Sequence, residues 1–337
     1  MATSRPRAHK KSPDFLKGKT VLVTGGTGTF GRAFVARLLA VPGIKKIIIF
    51  SRDELKQSQV QSLYPKEKRL RYFIGDIRDV ERLKRAFDGV DVVVHAAALK
   101  QVPATEYNPF EAVKTNIIGS QNVVDAALSA GVPKVLLVSS DKAVEPINLY
   151  GATKLAAEKL FVAANVYASD KNPSAFSVVR YGNVIGSRGS LVELIEKLRA
   201  TGRIPLTDKR MTRFWIRIER VTDIVLECLS TMRGGEIFVP KMKNMSVADV
   251  IKLLAPECKL DDVGIRPGEK LHETLITEYE ERRAKELKNF YVISPEFGST
   301  DRSWLEDKTD VPEGFRYRSH NKEFLLTADE ARAIFAK

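Results

Sequence analysis

A tyrosine and a lysine stand four residues apart in the segment Tyr150-Gly-Ala-Thr-Lys154, which opens a predicted helix. This spacing places both side chains on one helical face, one turn apart. An ammonium group stabilises a neighbouring phenolate, so we expect Lys154 to lower the pKa of Tyr150. The pair would then be a base that takes a proton from a substrate hydroxyl near neutral pH.

A carboxyl group and a second amine, Asp141 and Lys142, follow a predicted apolar strand at 134–138. An acid and a base on one loop supply what elimination of water needs: a proton for the departing hydroxyl and a base for the adjacent carbon. Lys142 is a base only when neutral. We expect partial burial and nearby Lys154 to lower its pKa, with Asp141 opposing that shift. The alternative is a salt bridge between Asp141 and a helix terminus.

A glycine-rich turn, Gly25-Gly-Thr-Gly-Thr-Phe-Gly31, lies between the predicted strand 20–24 and a helical run that ends near Leu39. Strand, turn and helix in this order are typical of dinucleotide binding, because glycines let the backbone turn tightly and approach a pyrophosphate. The helix N-terminus adds amide donors and a favourable dipole. A purely structural turn is the alternative.

The end of the second predicted strand bears on the choice of cofactor. Ser51 and Arg52 stand where an NAD-preferring fold usually has an acid for the ribose hydroxyls, and Lys56 follows one turn later. These groups suit a 2′-phosphate, so the sequence predicts NADP. Asp53 and Glu54 are predicted to begin the next helix, where acidic side chains suit the helix dipole.

Several further residues lie at the ends of later strands, where ligands bind in α/β folds. Asp76 could read an adenine edge or cap the next helix, and Lys100 could contact a ligand or be a solvated surface lysine. Arg213 and Arg266 are candidates for a diphosphate, since guanidinium matches phosphate oxygens bidentately, with surface salt bridges as the alternative. Asn108 is predicted to cap a helix that starts at Pro109.

Strand-type and helical runs alternate along the first half of the chain, a pattern typical of parallel, doubly wound sheets. The predicted strands are 20–24, 46–50, 70–74, 90–95, 134–138 and 175–180, and two long helices are predicted at 108–130 and 150–169. After residue 183 the elements shorten: helices at 191–200 and 247–254, and a strand at 237–239. We therefore predict an α/β fold, a Rossmann-like doubly wound parallel sheet with a smaller C-terminal α/β substrate-binding lid.

The predicted organisation has three parts: a basic, disordered tail at 1–16, an NADP-binding domain at 17–182, and a region at 183–337 that is mainly lid but can return to the core. With 337 residues and 44% hydrophobic content, the chain can bury a sizeable core. No apolar run approaches the length of a membrane span, so no membrane association is expected.

The net charge of +13 is spread along the chain without a nucleic-acid motif. An anionic cofactor and substrate explain it better than nucleic-acid binding, which we do not expect. The two cysteines, Cys228 and Cys258, are predicted to be buried free thiols in helical surroundings, which fits a reducing, cytoplasmic setting. The four histidines show no ligand spacing, so no metal site is predicted.

With these motifs, the chain resembles the extended short-chain dehydrogenases/reductases, which modify nucleotide sugars with a bound nicotinamide cofactor. Within that superfamily it is similar over nearly its whole length to the inverting UDP-N-acetylglucosamine 4,6-dehydratases of pseudaminic-acid biosynthesis, the PseB type. The similarity rests on four segments: Thr24-GGTGTFG, Ser51-RDELKQ, Val138-SSDKAVEPINLYGATK and Gly264-IRPGEKLHETLI. Tyr150 marks this branch, because related retaining dehydratases have methionine there.

The resemblance implies a role for each catalytic residue. Ser140 would hydrogen-bond the sugar 4-hydroxyl, and Tyr150, assisted by Lys154, would take its proton while hydride passes from carbon 4 to the nicotinamide. Lys142 would remove the proton on carbon 5, and Asp141 would protonate the departing 6-hydroxyl before hydride returns to carbon 6. Reprotonation of carbon 5 on the opposite face would give UDP-2-acetamido-2,6-dideoxy-β-L-arabino-hex-4-ulose.

The resemblance also implies both binding sites and a homo-oligomer, dimer or hexamer, built on the helices 108–130 and 150–169. The residues implied for NADP are Gly25, Gly28, Thr29, Phe30, Gly31, Ser51, Arg52, Asp53, Glu54, Leu55, Lys56, Gln57, Asp76, Ile77, Ala96, Lys100, Tyr150 and Lys154. Those implied for UDP-N-acetylglucosamine are Lys100, Ser140, Asp141, Tyr150, Asn183, Val184, Arg213, Arg266 and Glu269.

Two other classes of function stay open. A 4-epimerase needs only the tyrosine redox step, and a retaining dehydratase uses a different face at carbon 5. A non-catalytic regulator that binds NADP commonly lacks the tyrosine or the lysine, whereas Tyr150 and Lys154 are both present. Loss of water distinguishes dehydration from epimerisation.

Overall fold

The computed structural model describes residues 14–168, 174–187, 189–296 and 303–336. Two predictions lie partly outside these residues: most of the basic tail at 1–16, and the end of the long helix at residue 169.

A parallel sheet occupies the centre of the first half of the chain. Its strands are β1 (Thr20–Thr24), β2 (Lys46–Ser51), β3 (Leu70–Ile74), β4 (Val92–His95), β5 (Lys134–Val138) and β6 (Ala175–Val179). Their spatial order is β3-β2-β1-β4-β5-β6, so the direction of winding reverses between β1 and β4. In such sheets the crevice at the reversal point, outside the carboxyl ends of the strands, binds ligands. The predicted doubly wound, Rossmann-like sheet is confirmed.

Helices connect these strands and cover both faces of the sheet. They are α1 (Thr29–Leu39), α2 (Glu54–Leu63), α3 (Val80–Phe87), α4 (Val102–Tyr107), α5 (Pro109–Ala112), α6 (Gly119–Ala130) and α7 (Leu149–Ala163). Phe34 and Leu38 of α1 belong to the apolar cluster on one face, and Val123 of α6 and Phe161 of α7 belong to the cluster on the other. Because both faces of the sheet are covered, the central residues of β1, β2, β4 and β5 are apolar and buried.

The helix predicted at 108–130 is interrupted. The separate helix α4 precedes it, and a π-helical turn at Val113–Ile118 lies between α5 and α6. Asn108 takes the position before α5, and Pro109 opens it, as predicted. The prediction of a side-chain cap is wrong, because the Asn108 amide donates to the Ala104 carbonyl at 3.0 Å and so closes α4 instead.

The second half of the chain contains shorter elements. Its strands are β7 (Asn183–Ile185), β8 (Arg203–Leu206), β9 (Thr212–Arg217), β10 (Ile237–Pro240), β11 (Lys243–Ser246), β12 (Lys259–Asp262), β13 (Thr274–Ile276), β14 (Ala284–Glu286), β15 (Phe290–Ile293), β16 (Thr309–Asp310) and β17 (Tyr317–Arg318). Its helices are α8 (Leu191–Leu198), α9 (Ile218–Thr231), α10 (Val247–Leu254), α11 (Glu278–Glu281), α12 (Ser303–Glu306) and α13 (Ala328–Phe335).

Part of this second half returns to the core. Strand β10 pairs in parallel with β6, and β15, β14 and β16 extend the sheet to ten strands within the described ranges. Helix α9 packs against α1. The remaining strands of the second half form three smaller sheets, β11-β9-β7, β12-β8 and β13-β17. The large sheet thus contains strands from both sides of the predicted boundary at residue 183. That boundary stays a prediction about which part of the chain binds NADP and which part binds the substrate.

The cysteines differ in their surroundings. Cys228 is buried in α9 as predicted. Cys258, in the turn between α10 and β12, packs against an apolar cluster that includes residues of α8 and α10, but it is only half-buried, so the prediction of a buried thiol is wrong for it. Both are free thiols. In the described ranges, no helix has the length and apolarity to cross a membrane, and no group of three His, Cys, Asp or Glu residues could hold a metal ion.

His95 is a buried histidine at the end of β4. Its Nδ1 lies 2.7 Å from the Thr24 hydroxyl, its Nε2 lies 3.1 Å from the Ser120 hydroxyl, and its ring stacks on Phe161. Burial, together with the nearby Lys154 ammonium, lowers the pKa of His95 to about 3. The folded protein therefore holds this imidazole neutral, while the unfolded chain protonates it below pH ~6.5.

We expect this difference to reduce the free energy of unfolding as the pH falls from about 6.5 toward 3. The unfolded state binds a proton that the folded state excludes, which corresponds to about 2 kcal/mol at pH 5. His95→Gln keeps a donor and an acceptor but does not titrate. Urea denaturation should therefore show that, between pH 7 and pH 5, His95→Gln loses about 2 kcal/mol less stability than the wild type loses. His320→Gln, at an exposed histidine, is the matched control. Equal pH dependence in wild type and His95→Gln would contradict the prediction.

Candidate active site

The glycine-rich turn lies between β1 and α1 at the carboxyl edge of the sheet. Gly25 has a φ of +67°, and a Cβ there would lie 2.9 Å from the Ala97 backbone nitrogen. A Cβ on Gly31 would lie 2.5 Å from the Gly25 carbonyl oxygen. Only glycine fits such close approaches, and α1 begins at Thr29 on the wall of the adjoining cavity. The turn therefore fits the pyrophosphate of a dinucleotide.

The end of β2 places two cations on the same cavity wall, which Ser51, Arg52, Asp53 and Lys56 all line. Asp53 caps α2 by accepting the Lys56 backbone N–H at 2.9 Å, and it also pairs with the Lys56 ammonium. Arg52 lies 3.4 Å from the Asp76 carboxylate. The prediction that Asp53 and its neighbour begin the helix is confirmed.

Three residues implied for NADP, Glu54, Leu55 and Gln57, are not on this wall. Leu55 is exposed, and Gln57 is buried, where its amide donates to the carbonyls of Ser51 and Phe73. Gln57 thereby holds the ends of β2 and β3 together and acts on the site through Ser51.

Asp76 and Ile77 follow β3 and line the cavity. The Asp76 carboxylate accepts two hydrogen bonds from the Arg78 guanidinium, at 2.7 and 2.9 Å. Burial raises the pKa of Asp76, but Arg78 and Arg52 outweigh burial and hold it below its ordinary value. Asp79 caps α3, so the alternative that Asp76 is the cap of that helix is wrong.

Ser140, Asp141 and Lys142 form a tight turn directly after β5. The Ser140 hydroxyl donates to Asp141 Oδ1 at 2.9 Å, and the Lys142 ammonium donates to the same oxygen at 3.0 Å. Asp141 thus pairs with Lys142 and not with a helix terminus. Its side chain is completely buried, and no donor among the described residues reaches its Oδ2. A buried carboxylate oxygen without a donor is unfavourable, which points to a functional role.

Lys142 lies between two carboxylates. Its Nζ is 3.0 Å from Asp141 and 3.6 Å from Glu273. Burial and the Arg213 guanidinium lower the pKa of Lys142, but the two carboxylates outweigh them and hold this pKa well above its ordinary value. The predicted lowering is therefore wrong. The physical reason is that Asp141 raises the pKa most and that Glu273, which the fold brings to Lys142 from a distant segment, raises it further.

Helix α7 brings Tyr150 and Lys154 to the cavity. Asn148 caps the helix by accepting the Gly151 N–H at 2.8 Å. A Cβ on Gly151 would clash with the Lys142 carbonyl oxygen, so α7 packs directly against the turn that holds Lys142. This contact fixes the tyrosine and the Asp-Lys pair relative to each other.

The pKa values of the tyrosine–lysine pair differ from the prediction. Burial raises the pKa of Tyr150, although the Lys142 ammonium and a hydrogen bond with Ser140 oppose it. Burial lowers the pKa of Lys154 to about 8, with Glu158 opposing. The predicted lowering of the Tyr150 pKa by Lys154 is wrong here, since the cation that acts on the phenol is Lys142.

A single cavity of about 730 Å³ connects the glycine-rich turn with the Asp-Lys turn. Among the nine residues implied for the sugar nucleotide, seven line it: Lys100, Ser140, Tyr150, Asn183, Val184, Arg266 and Glu269. Arg213 does not. It is buried, and its guanidinium donates to the carbonyls of Thr212, Lys270 and Leu271, so contact with a diphosphate would require it to leave them.

Comparison with known proteins decides the family. The model of a family described as polysaccharide biosynthesis protein matches residues 21–295. The chain belongs to this family. Two Campylobacter jejuni proteins named UDP-N-acetylglucosamine 4,6-dehydratase (inverting) are 49% identical to it, over 90% and 94% of this chain and 93% and 97% of theirs. The resemblance predicted from the sequence is thereby confirmed.

Other proteins to which the chain is similar have different names. A Rickettsia bellii protein named UDP-glucose 4-epimerase is 38% identical over 92% of this chain and 96% of its own length. The structure of Pen from Bacillus thuringiensis is 37% identical, with a TM-score of 0.86, over 95% of this chain and 97% of that one. The dTDP-glucose 4,6-dehydratase DesIV of Streptomyces venezuelae, solved with NAD and TYD, is 26% identical with a TM-score of 0.68, over 78% and 90%.

Two buried polar residues beside the site, Asn116 and Glu273, have no role in the prediction from the sequence. Asn116, in the π-helical turn, binds both backbone groups of Leu99 at 2.8 and 2.9 Å and donates to the Thr153 hydroxyl at 2.9 Å. Glu273 faces Lys142. The signal for Glu273 was its place in the segment 264–276, which resembles the family, but its contact depends on tertiary structure.

Proposed function

We propose that the chain is an inverting UDP-N-acetylglucosamine 4,6-dehydratase, a hydro-lyase that forms UDP-2-acetamido-2,6-dideoxy-β-L-arabino-hex-4-ulose. The observation that carries this proposal is the Asp141–Lys142 pair, packed against Tyr150 on the wall of one cavity. A tyrosine suffices for oxidation at carbon 4. The adjacent acid and base add what the elimination of water requires.

The first residues to act are Tyr150 and Ser140. The Ser140 hydroxyl orients the sugar 4-hydroxyl, and Tyr150 takes its proton. Burial raises the free energy of the Tyr150 phenolate, so the step depends on cations near the phenol. The Lys142 ammonium is one of them, and it partly offsets the rise in the Tyr150 pKa that burial causes. Lys154, whose pKa is near 8, supplies a second amine on the same wall.

Lys142 and Asp141 act next. A shift of one proton from the Lys142 ammonium to the Asp141 carboxylate, along their 3.0 Å hydrogen bond, would make Lys142 a neutral base and Asp141 an acid. Once carbon 4 is a ketone, the proton on carbon 5 becomes acidic and Lys142 takes it. Asp141 gives its proton to the 6-hydroxyl, which leaves as water. Asp141 itself is completely buried. Its connection with the cavity is through the Ser140 hydroxyl and the Lys142 amine, which both line the cavity and donate to Asp141 Oδ1.

NADP is the cofactor that this proposal assigns, and when bound it supplies hydride acceptance from carbon 4 and hydride return to carbon 6. The glycine-rich turn would hold its pyrophosphate, Asp76 and Ile77 would lie near its adenine, and Ser51, Arg52 and Lys56 would face the 2′-phosphate. Binding of NAD by DesIV supports a nicotinamide cofactor, and the cations at the end of β2 support the phosphorylated form.

Replacing Arg52 with alanine should reduce the preference for NADP over NAD about 10- to 100-fold. A hydrogen bond to a charged group contributes about 1.5–3 kcal/mol, and only NADP offers the phosphate. Isothermal titration of cofactor-stripped protein with each dinucleotide measures this ratio. Arg85→Ala, at an exposed arginine of α3, is the control. If the ratio of NADP to NAD affinity is unchanged in Arg52→Ala, Arg52 does not bind the 2′-phosphate.

The sugar nucleotide would lie on the lid side of the cavity. Lys100, Arg266 and Glu269 line that side together with Asn183 and Val184. In this proposal residues 17–182 bind NADP and residues 183–337 mainly form the substrate side. Arg213 joins the diphosphate only if its side chain leaves the backbone carbonyls that now hold it.

A 4-epimerase is the second candidate, because the Rickettsia bellii relative carries that name over nearly the whole chain. An epimerase requires the redox tyrosine but neither the acid nor the base of the Asp141–Lys142 pair. The packing of that pair against Tyr150 favours dehydration.

The deciding experiment incubates purified protein with UDP-N-acetylglucosamine in deuterated water without added cofactor, followed by NMR. A 4-keto-6-deoxy sugar with inverted, deuterated carbon 5 is expected, which would also mean that the nicotinamide cofactor co-purifies. A 4-epimer without deuterium would overturn the dehydratase in favour of the epimerase. Lack of turnover with both NADP and NAD supplied would refute the proposed substrate.

The proposal extends to assembly and cellular context: a cytoplasmic homo-oligomer that catalyses the first step of pseudaminic-acid-type biosynthesis. Exposed apolar side chains on the α4–α6 segment, Tyr107, Phe110 and Ile118, together with Val166 and Tyr167 beyond α7, support self-association. Light scattering should give a dimer or hexamer for the wild type and smaller species for Tyr107→Ser/Phe110→Ser. A monomeric wild type would contradict this assembly.

A further inference from the structure

Glu273 is a buried carboxylate immediately before β13, and its exposed fraction is 2%. Three cations face it. Its Oε1 lies 3.6 Å from Lys142 Nζ and 3.9 Å from Arg213 Nε, and its Oε2 lies 3.5 Å from Lys270 Nζ. Burial of a charge costs free energy unless ion pairs or hydrogen bonds compensate for the lost water. A carboxylate buried so deeply therefore calls for an explanation in stability or function.

The contacts of Glu273 are charge contacts rather than full hydrogen bonds. All three distances exceed the range of a good N–H···O bond, and Oε2 has no hydrogen-bond donor among the described residues. This geometry leaves the carboxylate able to strengthen its interaction with whichever cation gains charge or moves toward it.

Two of the three cations are held in place by other groups. The Arg213 guanidinium donates to three backbone carbonyls, and the Lys270 ammonium donates to the Val144 carbonyl at 2.5 Å. Lys142 differs, because its only hydrogen-bond acceptor among the described residues is Asp141, the acid of the proposed reaction. Glu273 is therefore the one described carboxylate beside Lys142 that takes no proton during the reaction.

We propose that Glu273 is the positioning residue of Lys142, and that its carboxylate stabilises the ammonium that Lys142 becomes when it accepts the proton from carbon 5. This inference rests on the proposed dehydratase function. In the step concerned, the C5–H bond of the 4-keto sugar breaks and its electron pair stays on carbon 5, conjugated with the ketone. The proton forms an N–H bond with Lys142, and the new positive charge lies 3.6 Å from Glu273.

The electrostatic setting supports this role. The charged or titratable groups that face Lys142 are Asp141, Tyr150, Arg213 and Glu273. When Asp141 donates its proton to the leaving hydroxyl, its charge changes during the reaction, and Arg213 repels an ammonium throughout. Glu273 is thus the constant favourable charge, much as a buried aspartate stabilises the imidazolium of a catalytic triad.

The first test measures Lys142 directly and needs no turnover. Competitive labelling with acetic anhydride at pH 9, followed by mass spectrometry, reports the neutral fraction of each lysine, with Lys100 on the same cavity wall as the internal reference. In Glu273→Gln the labelling of Lys142 should rise about 10- to 100-fold, because loss of a neighbouring opposite charge lowers an amine pKa by about 1–2 units. Glu145→Gln is the matched control: Glu145 accepts from the Thr274 hydroxyl, next to Glu273, and pairs with Arg318.

The second test measures deuterium incorporation at carbon 5. A base must be neutral before it takes a proton, and Glu273→Gln lowers the Lys142 pKa. The rise of kcat with pH for this exchange should therefore move to lower pH in Glu273→Gln with little change in KM, while Glu145→Gln keeps the wild-type pH profile. Glu273→Asp retains the charge, so it should keep Lys142 weakly labelled and the pH profile near that of wild type, which also covers the case in which Glu273→Gln does not fold.

The two tests separate this inference from the proposed function. If wild type catalyses no exchange at carbon 5, the proposed function fails, whereas labelling still reports whether Glu273 controls Lys142. If Lys142 labelling and the pH profile of the exchange are both unchanged in Glu273→Gln, the inference is overturned, and Glu273 is only a counterion for Arg213 and Lys270.

Discussion

Replacement of Lys142 by methionine should reduce formation of the 4-keto-6-deoxy sugar about 10²- to 10⁴-fold, the range that a positioned acid or base contributes. Methionine keeps the length and apolar stem of lysine but has no amine. Lys142 is the one described amine in direct contact with Asp141, and it acts on Tyr150 as well, so its loss affects both elimination and the redox step.

Product formation and deuterium at carbon 5, both followed by NMR, measure this effect. Lys159→Met is the control, because Lys159 lies on the exposed side of the same helix as Tyr150. UDP affinity, measured by calorimetry, should stay near that of wild type, because the proposed function places Lys142 at carbon 5 of the sugar, which UDP lacks. Activity of Lys142→Met within a few-fold of wild type would exclude Lys142 as the base.

Replacement of Arg180 by methionine should lower the free energy of unfolding by about 3–5 kcal/mol, the cost of leaving a buried ionic partner uncompensated. Arg180 follows β6 and is 2% exposed. Its guanidinium lies 2.7 Å from Glu158 of α7 and 3.0 Å from Glu280 of α11, and it donates to the Leu275 carbonyl at 2.9 Å. One side chain thus joins the parallel sheet to the segment that carries Glu273.

Urea denaturation at pH 7 measures this loss, with Arg332→Met as the control at an exposed ion pair, where a change within about 0.5 kcal/mol is expected. The triple variant Arg180→Met/Glu158→Gln/Glu280→Gln should recover part of the loss, because it removes the two orphaned charges as well. A loss below about 1 kcal/mol in Arg180→Met would mean that water or other side chains solvate both carboxylates.

The local motifs were predictable because each depends on a few consecutive residues. The bounds of β1, β3 and β5 agree with the prediction, and the glycine-rich turn connects β1 to α1 as expected. Tyr150 and Lys154 share a cavity wall for the same reason: a helix fixes the direction of side chains four residues apart.

Predictions failed where a local pattern allowed two structures. The segment 108–130 is predicted as one helix capped by Asn108, yet it forms α5, a π-helical turn and α6, and the separate helix α4 precedes it. An asparagine before proline can close one helix as well as open the next, and only the packing of Asn116 against Leu99 and Thr153 favours the extra π-helical residue.

The sequence by itself determined the class of fold and the family, and it predicted the candidate reacting groups, because strand-turn-helix motifs and the Asp-Lys and Tyr-x-x-x-Lys spacings are local properties of the chain. The tertiary structure alone decided the electrostatics. It brought Glu273 to Lys142, covered Asp141, and held Arg213 on backbone carbonyls. Asp141 and Glu273 reversed the predicted pKa shift of Lys142, and burial reversed that of Tyr150, since a pKa depends on every charge and on the burial that the whole fold creates.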